Sequence, residues 1–448
     1  MIGVPDRIRV HPSSLAGVVH VPGDKSLSHR ALLVPARCGG PVTVRGLAAG
    51  ADVRATAAAL RALGVRVELE PDGVGMSGVV EGDLGAAGPG ADGRPVAIDC
   101  GNSGTTLRLL AGLAAGAGRA VRLDGDASLR RRPVDRIAGP LTAAGALVAA
   151  REDRLPPLEV RPAGRPRGIL WDAPVASAQI KSAVLLLGLG ATDPTRVRAP
   201  APSRDHTERL LRHAGLRVEG GPTADGGEDV VLHPGTPRLT TVDVARDPSA
   251  AAFWHVAAAC GAGSVVTPDV CLNPGRTGAL DVLRALGAAV DVGPTRDRTG
   301  EPTGAVTVAP GELGGAEVRG GLVVRALDEL PVLALAGAVS RDGLEVRDAA
   351  ELRVKESDRV RGVVALLAAV GVTATELPDG FVVPGGQRPG GGRVRADGDH
   401  RIAMTAAVAG VIGTAPVEID GAATIASSYP TFLTDLAALG GRVEAVDA

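Results

Sequence analysis

ALRALGVRVE, residues 59–68, has the pattern of a helix end, one glycine and the start of a strand. Gly64 stands where helices commonly end in a left-handed residue, a conformation that glycine adopts at little cost. The alternating valines after it predict a half-buried strand. The pattern occurs six times, with its glycines at positions 64, 145, 215, 287, 371 and 440. This recurrence predicts an internally duplicated α/β protein.

A second helix–strand pattern alternates with the first and also occurs six times. Its copies are residues 28–46, 106–125, 182–200, 249–270, 330–349 and 403–421. Each repeat of roughly 75 residues is therefore predicted to hold two helices and several strands. A polar stretch rich in glycine and proline, residues 220–240, separates the third repeat from the fourth. We expect three repeats on either side of it.

The composition narrows the classes of function. The chain has 448 residues, a net charge of -2 and few aromatic residues, so nothing favours nucleic-acid or membrane binding. Its apolar runs, such as 183–191, are too short to span a bilayer, and the N-terminal decapeptide is not a signal peptide. The four cysteines lack the spacing of a metal site. We expect a cytoplasmic protein with an alanine, valine and leucine core.

Polar residues cluster just before the predicted helices. These stretches are 23–30, 101–108, 177–182, 246–251, 328–331 and 399–404 for one kind of helix, and 130–136, 203–209, 273–278, 355–359 and 428–432 for the other. The corresponding stretch of the first repeat, 50–56, has no such cluster. Helix N-termini attract anions, so several of them acting together predict a polyanionic ligand.

The stretch ELRVKESDR, residues 351–359, is predicted to start a helix, with Lys355 and Arg359 on one face and Glu356 beside them. Only three of the 48 basic residues are lysines: Lys25, Lys181 and Lys355. Arginine serves nearly everywhere else, so each lysine is predicted to be needed as a compact ammonium group. Cations beside a carboxylate at a helix start can bind an anion and move a proton.

Three further motifs admit both a functional and a structural interpretation. Ser26 and Arg30 are four residues apart and could bind one phosphate, or they could be a helix cap and a surface charge. Gly104 lies in a turn that lets backbone amides approach an anion, although glycine is abundant here. Asp328 and Glu329 precede an apolar helix, where simple capping is the alternative.

Taken together, nine motifs resemble the EPSP synthase family of enolpyruvyl transferases. They are GDKSLSHRALL, DCGNSGTTLRLLAG, GDASLRRRPVDRI, SAQIKSAVLL, SRDHTERLL, LDELPVLA, ELRVKESDR, DHRIAM and SYPTF, from residue 23 to residue 432. The resemblance implies two similar domains, each of three βαβαββ repeats around buried parallel helices, an inside-out α/β barrel. Residues 1–20 with 238–448 would form the lower domain and residues 21–237 the upper, with the active site in the cleft between them.

The resemblance also implies a reaction. The enolpyruvyl group of phosphoenolpyruvate would pass to the 5-hydroxyl of 3-phosphoshikimate, with release of phosphate, in the shikimate pathway that leads to chorismate and aromatic amino acids. The partners would be these small molecules and neither nucleic acid nor membrane. No metal or cofactor would be needed, and we expect a monomer. Glyphosate, the family's inhibitor, would fit beside Gly104.

The roles of individual residues follow from the same resemblance. The catalytic residues would be Asp328, Glu356, Lys355 and Lys25. The 3-phosphoshikimate contacts would be Lys25, Ser26, Arg30, Ser177, Ala178, Gln179, Arg204, Asp328 and Lys355. The phosphoenolpyruvate contacts would be Lys25, Gly104, Arg132, Gln179, Arg359 and Arg401. Asp328 would take the proton of the 5-hydroxyl, and either Glu356 or Lys25 would protonate the methylene carbon. Lys181 and Arg108 would be additional contacts.

Some positions depart from the best-known enterobacterial pattern. Ala178 replaces a serine, Leu109 replaces a proline, and Ser427 stands where that branch has a phosphoenolpyruvate-binding lysine. These departures are typical of another bacterial branch of the family, in which Arg204 and Lys181 are expected to supply the missing charge.

Two alternatives remain open at this point. UDP-N-acetylglucosamine enolpyruvyltransferase has the same fold, but its reactive cysteine would fall at Ala127, six residues before Pro133. A non-catalytic anion-binding relative would not need Asp328 and Glu356 beside the cations.

Overall fold

The computed structural model describes residues 4–85 and 94–446. The chain divides into two compact units. Unit 1 comprises Met1–Asp24, Ala245–Asp297 and Pro302–Ala448, and unit 2 comprises Lys25–Val244 and Arg298–Glu301. The domain ranges expected from the sequence also include residues 1–3, 86–93 and 447–448, which lie outside the described residues.

The described residues form 13 α-helices and 25 strands, together with short 3-10 turns. The helices are α1 (Lys25–Leu33), α2 (Ala51–Ala62), α3 (Gly104–Gly116), α4 (Asp135–Ala143), α5 (Ala178–Gly188), α6 (His206–His213), α7 (Pro248–Ala257), α8 (Gly278–Ala285), α9 (Gly321–Ala326), α10 (Leu330–Val339), α11 (Arg359–Ala369), α12 (His400–Ile412) and α13 (Phe432–Ala438). The strands are β1 (Arg7–His11), β2 (Gly17–Val18), β3 (Pro41–Ala48), β4 (Arg66–Asp72), β5 (Gly75–Glu81), β6 (Val96–Asp99), β7 (Val121–Asp124), β8 (Ala146–Arg151), β9 (Leu155–Pro162), β10 (Leu170–Asp172), β11 (Thr195–Ala199), β12 (Val218–Pro222), β13 (Glu228–Leu232), β14 (Thr241–Asp243), β15 (Val265–Cys271), β16 (Ala289–Val292), β17 (Arg296–Arg298), β18 (Glu301–Ala309), β19 (Gly315–Val318), β20 (Gly343–Val346), β21 (Thr375–Leu377), β22 (Gly380–Val383), β23 (Gly392–Arg395), β24 (Val417–Asp420) and β25 (Arg442–Ala445).

These strands form six sheets with one shared topology. In unit 2 the orders are β14-β3-β5-β4, β6-β7-β9-β8 and β10-β11-β13-β12. In unit 1 they are β2-β15-β18-β16, with β17 beside β18, then β19-β20-β22-β21 and β23-β24-β1-β25. The first pair in each order is parallel and the two other pairs are antiparallel. The predicted six-fold α/β repetition is confirmed within the described residues.

Three of these sheets are completed by strands from distant parts of the chain, one of them by β2, whose Val18 lies opposite Val266 of β15. In unit 2, β14 pairs in parallel with β3, so that Val242 lies opposite Val44. In unit 1, β1 from the start of the chain lies between β24 and β25, with Val10 opposite both Val417 and Val443. A repeat counted along the sequence therefore supplies only part of its own sheet.

The six glycines that define the repeat all adopt the left-handed conformation. Their φ angles are 87°, 101°, 81°, 95°, 77° and 100° at positions 64, 145, 215, 287, 371 and 440. At the first of them, the amide of Gly64 donates to the carbonyl of Arg61 at 2.9 Å, and the amide of Val65 donates to that of Leu60 at 3.0 Å. This pair of bonds is the Schellman motif, and it confirms the predicted helix caps.

The second-type helices form the buried cores of the units. Every residue of α12 is buried, and so is α10 from Leu330 to Ala338. In unit 2, α3 and α5 approach closely at glycines: a Cβ atom on Gly112 would lie 2.0 Å from the carbonyl oxygen of Ala183. Small side chains thus allow neighbouring helices to touch along their backbones.

Four of the few aromatic residues form one cluster in unit 1. The Trp254 ring stacks on Phe432 at a centroid distance of 4.7 Å, and its Nε1 donates to the Tyr429 hydroxyl at 3.0 Å. Phe253 contacts Phe432 edge-on. The expectation that residues 428–432 offer a polar helix start is therefore wrong, because Tyr429 and Phe432 are buried in the core.

The search of the described residues for a helix both long enough and apolar enough to cross a bilayer found none.

Alanine substitutions at two uncrowded glycines should measure the cost of the left-handed backbone conformation by itself. A Cβ atom has free space at both Gly215 and Gly40, but only Gly215 has a left-handed φ. We expect Gly215→Ala to destabilise unit 2 by about 1 kcal/mol, which lowers its thermal unfolding midpoint by ~2–4 °C. Gly40→Ala should leave the midpoint unchanged or slightly higher. Calorimetry measures both, and equal midpoints for the two variants would contradict the assigned role of the cap.

Candidate active site

The stretch 351–359 forms a short 3-10 helix, Ala350–Val354, followed by a turn and the start of α11. Asp358 caps α11, and its carboxylate accepts a hydrogen bond from the Arg361 amide at 3.1 Å. Lys355 therefore lies before the helix, and the prediction that it shares a helix face with Arg359 is wrong. The physical reason is the aspartate cap, which ends the regular backbone at this point.

Arg359 is the centre of the unit 1 site and is almost wholly buried, with 1% of its side chain exposed. Its guanidinium lies 2.8 Å from Asp399 Oδ2, 2.5 Å from Glu356 Oε2 and 3.4 Å from Asp328 Oδ1. Burial opposes the charge, but the carboxylates outweigh it and raise the pKa of Arg359. Two predicted acids, Glu356 and Asp328, thus contact the permanently charged side chain of Arg359, which was also predicted.

Asp399 is a member of this site that sequence analysis missed. It is fully buried, caps α12 by accepting from the Arg401 amide at 2.9 Å, and accepts from the Ser357 hydroxyl at 2.9 Å. Burial alone would favour its neutral form, but the Arg359 guanidinium prevails and lowers the pKa of Asp399. Its position directly before a helix in DHRIAM was the available signal.

Arg401 and Lys355 complete the unit 1 group. Arg401 Nη1 donates to the backbone carbonyl of Asp328 at 2.9 Å. Lys355 is half-buried, and the loss of solvent around its ammonium lowers its pKa, although the Asp328 carboxylate acts in the opposite direction. The Asp328 side chain keeps 17% of its surface exposed. A reachable carboxylate surrounded by cations is suited to taking a proton from a bound anion.

In unit 2, Lys25 begins α1 and pairs with an acid that sequence analysis overlooked. Its Nζ lies 3.0 Å from Asp52 Oδ2, and the two side chains are 22% and 16% exposed. Asp52 lies in the first turn of α2, in the stretch 50–56 that showed no polar cluster. The sequence around Asp52 did not indicate this ion pair, because the pair forms only when α1 brings Lys25 next to α2.

Arg30 lies one turn further along α1 and is buried, with 3% exposed. Its Nε donates to the Thr207 hydroxyl at 2.7 Å, its Nη2 to the Ser182 hydroxyl at 2.6 Å, and its Nη1 to the Ser26 carbonyl at 2.8 Å. These bonds join the starts of α1, α5 and α6. The contact with a substrate phosphate expected for Ser26 and Arg30 stays a prediction.

The turn at Gly104 leads into α3 and lies against arginine. Arg108 Nη1 lies 3.3 Å from the Gly104 carbonyl and 3.1 Å from Gln179 Oε1. A Cβ atom on Gly104 would lie 2.6 Å from that Nη1 and 3.5 Å from Nη1 of Arg132. A side chain at position 104 would therefore force the Arg108 guanidinium to move, whereas Arg132 would remain in ordinary van der Waals contact.

The remaining residues of the unit 2 group lie at helix starts or in the loops before them. Arg132 Nη2 donates to Asn102 Oδ1 at 2.6 Å, in the turn that precedes α3. Ser177 caps α5 by accepting from the Ile180 amide at 3.4 Å, and Ala178 is the first residue of that helix. Arg204 is half-buried in the loop before α6. These helix starts and cations favour anions.

Lys181 lies in a buried ion cluster, contrary to the expectation that it contacts a substrate. Its side chain is 2% exposed, and its Nζ lies 2.6 Å from both Glu208 Oε1 and Glu228 Oε1, which are buried too. It also donates to the Ser203 carbonyl at 3.3 Å. The expectations that Lys181 contacts substrate and that it replaces the charge missing at Ser427 are wrong, because two buried carboxylates already occupy its ammonium.

The predicted residues thus form one group in each unit. The unit 1 group is Asp328, Lys355, Glu356, Arg359 and Arg401, and the unit 2 group is Lys25, Ser26, Arg30, Gly104, Arg132, Ser177, Ala178, Gln179 and Arg204. Each group combines helix starts with arginine and lysine side chains.

The fold has a counterpart among solved structures. It is shared with the enolpyruvyl transferase NikO from Streptomyces tendae, at a TM-score of 0.77 and 20% identity, covering 100% of both chains. The sequence model of EPSP synthase (3-phosphoshikimate 1-carboxyvinyltransferase) matches residues 10–436. The chain belongs to the EPSP synthase family, and the resemblance seen in its nine motifs is confirmed.

Individual relatives agree along nearly the whole chain. A 3-phosphoshikimate 1-carboxyvinyltransferase from Roseiflexus castenholzii is 44% identical over 435 residues, covering 94% of this chain and 97% of its own. One from Synechococcus sp. strain RCC307 is 45% identical over 433 residues, covering 95% and 97%. A solved EPSP synthase structure from Acinetobacter baumannii matches with a TM-score of 0.84 and 35% identity, covering 98% of this chain and 99% of that one.

The buried Lys181 cluster generates a pH-dependent prediction. In Lys181→Met, two carboxylates stay buried without their cation, so we expect a loss of ~3–5 kcal/mol at neutral pH. Burial already raises the pKa of Glu208. A carboxyl whose pKa is raised by folding holds its proton in the folded state, so stability declines as pH rises above its unfolded pKa. The thermal midpoint of the variant should therefore fall further below wild type at about pH 8 than at about pH 5.

The matched control is the double variant Lys181→Met with Glu208→Gln. It removes one of the two stranded charges and should recover part of the loss at the higher pH. A deficit that is equal at both pH values and unchanged in the double variant would contradict the assignment of this cluster.

Proposed function

We propose that this protein transfers the enolpyruvyl group of phosphoenolpyruvate to the 5-hydroxyl of 3-phosphoshikimate and releases phosphate. The product, 5-enolpyruvylshikimate 3-phosphate, leads to chorismate and the aromatic amino acids. The observation that carries the proposal is the Arg359 cluster, which holds Asp328 and Glu356 against one cation in a chain of this family. An anion-binding protein without catalysis would have no use for two such carboxylates beside its cations.

Asp328 is the base of the proposed reaction. Its carboxylate takes the proton of the 5-hydroxyl while the hydroxyl oxygen attacks C2 of phosphoenolpyruvate. Arg359 faces this carboxylate at 3.4 Å, and Lys355 is within electrostatic range of it. Lys355 also contacts the 3-phosphoshikimate near the reacting hydroxyl.

Glu356, in its protonated form, is the acid that gives a proton to the methylene carbon in the same addition step, and it is left as a carboxylate. Its pairing with Arg359 at 2.5 Å holds it in the same cluster as Asp328. Lys25, paired with Asp52 at 3.0 Å, is the second candidate for this proton transfer. Addition gives a tetrahedral intermediate at C2. Phosphate then leaves C2 while the new methyl group returns one proton to the group that supplied it, which regenerates the carbon–carbon double bond.

The cations divide between the two substrates. Arg132, Arg359 and Arg401, with Gly104, Gln179 and Lys25, bind the phosphate and carboxylate of phosphoenolpyruvate, which makes its C2 more electrophilic. The 3-phosphoshikimate is bound by Lys25, Ser26, Arg30, Ser177, Ala178, Gln179, Arg204, Asp328 and Lys355. Orientation of two bound reactants can lower a barrier by ~7–11 kcal/mol.

The proposal includes a monomeric cytoplasmic enzyme. All of the assigned residues belong to a single chain, so no second copy is needed to complete the set. Both substrates are small, soluble polyanions, and neither requires a membrane or a nucleic acid.

A phosphate-release assay with two acceptors tests this function. The purified protein is given phosphoenolpyruvate with either 3-phosphoshikimate or UDP-N-acetylglucosamine, and shikimate without its phosphate is the control acceptor. We expect release only with 3-phosphoshikimate. Release with the nucleotide sugar would assign the protein to the sibling reaction, and no release with either acceptor would overturn the proposal.

The role of Asp328 predicts a separation of chemistry from binding. Asp328→Asn keeps the shape of the side chain but cannot take a proton, so kcat should fall by ~10²–10⁴-fold. The KM values should change by no more than about threefold. The matched control is Asp342→Asn, an exposed aspartate of the same unit paired with Arg341, which should behave as wild type. A variant with normal kcat and raised KM would make Asp328 a binding residue only.

A further inference from the structure

A second buried guanidinium in unit 1 lies outside the site described above. Arg276 is 3% exposed, and its Nη2 lies 2.9 Å from Asp24 Oδ2 and 2.8 Å from Asp247 Oδ1. The same nitrogen donates to the Ser249 hydroxyl at 3.0 Å. Nη1 lies 3.7 Å from Glu329 Oε1. One cation therefore faces three buried carboxylates.

The members of this cluster come from four of the polar stretches that precede helices. Arg276 belongs to NPGRTG (273–278), Asp247 and Ser249 to RDPSAA (246–251), Glu329 to DELP (328–331) and Asp24 to GDKSLSHR (23–30). Two of these stretches, 246–251 and 273–278, received no role in the proposed reaction. Asp247, Ser249 and Arg276 from these two stretches meet at a common buried point.

Two of the acids lie where the chain passes out of unit 1 and returns to it. Asp24 is the last residue of unit 1 before the chain leaves it, and Ala245 is the first after its return. The Asp24 amide donates to the Ala245 carbonyl at 2.7 Å, and the Asp247 amide donates to the Pro22 carbonyl at 2.9 Å. Arg276 holds both of these backbone segments through their carboxylates.

The third acid adjoins the base of the proposed reaction. Glu329 follows Asp328 directly, and its side chain does not cap α10 although it stands at the cap position. Instead, Glu329 Oε1 accepts a hydrogen bond from Ser249 and faces Arg276. Its Oε2 has no hydrogen-bond partner among the described residues. The place of Glu329 therefore depends on Arg276 and Ser249.

Asp328 is thus held from two sides. On one side Arg401 binds its backbone carbonyl at 2.9 Å and Arg359 faces its carboxylate at 3.4 Å. On the other side the next residue in the chain, Glu329, is fixed by Arg276. Burial works against the charge of Arg276, but the surrounding acids, Asp328 among them, raise its pKa. Arg276 is therefore within electrostatic range of the base.

We propose that Arg276 is a positioning residue for Asp328, which it holds through Glu329 and Ser249 against the backbone segments at Asp24 and Asp247. The inference rests on the proposed function, because it assumes that Asp328 is the base. A guanidinium is suited to this task, since its charge extends over Nη2, which contacts Asp24, Asp247 and Ser249, and Nη1, which faces Glu329, whereas an ammonium is a point charge. Misplacement of a catalytic group by about 1 Å can reduce turnover by ~10²-fold.

The test compares Arg276→Lys with wild type in the phosphate-release assay. We expect kcat to fall by ~10²-fold and both KM values to stay within about threefold. Arg37→Lys is the matched control: it changes another buried arginine, which pairs with Asp83 in unit 2. The control should lose thermal stability without losing kcat. If Arg276→Lys is folded and its kcat lies within about threefold of wild type, the inference is overturned.

A double variant distinguishes positioning from a general loss of structure. If Arg276 acts through the base, Arg276→Lys should reduce kcat by less than about threefold when Asp328 is already asparagine. A full further ~10²-fold loss in that background would contradict the inference. Should Arg276→Lys fail to fold, Ser249→Ala is measured instead. A fall in kcat of about tenfold that disappears in the Asp328→Asn background would support the inference. An unchanged kcat in Ser249→Ala would overturn it.

The wild-type measurement separates this inference from the proposed function. Wild-type protein that releases no phosphate with 3-phosphoshikimate would overturn the function itself. Active wild-type protein with a fully active Arg276→Lys variant would overturn only the role of Arg276.

Discussion

The buried guanidinium of Arg359 is the interaction on which the unit 1 site depends. A cation out of water is costly, and here three carboxylates compensate for the cost: Asp399, Glu356 and Asp328. Asp399 is the most buried of the three and also caps α12, so one aspartate both pairs with Arg359 and binds the backbone amide of Arg401. The two less buried acids are left with some exposed surface and can serve in proton transfer.

Two other clusters of buried charged side chains hold loops in place. Lys181 is enclosed by Glu208 and Glu228, and Arg276 by Asp24, Asp247 and Glu329. Both clusters lie beside residues with proposed roles: Lys181 contacts the backbone next to Arg204, and Glu329 adjoins Asp328. The chain thus fixes loops that carry functional groups by means of ion clusters, which are sensitive to geometry because any unpaired member is strongly disfavoured.

Small side chains allow the buried helices of each core to pack closely. Alanine and glycine allow α3 and α5 to touch along their backbones, as Gly112 does against Ala183. The same close packing of α3 and α5 brings together Gly104 and Gln179, which lie in the first turns of these helices. Four of the six aromatic residues are concentrated in one place, around Trp254 and Phe432.

Much of the fold could be read from the sequence because the features that encode it are local. A glycine cap and a period-2 strand involve only a few neighbouring residues, and so the six repeats and their left-handed glycines were predicted correctly. The motifs around Arg359 were found in the same way. The sequence could not give the sheet partners of β1 or β14, the partner of Lys25 at Asp52, the burial of Lys181 or the contacts of Asp399. Each of these depends on residues far apart in the chain, and only the packed structure decides which distant carboxylate meets which cation and whether water reaches them.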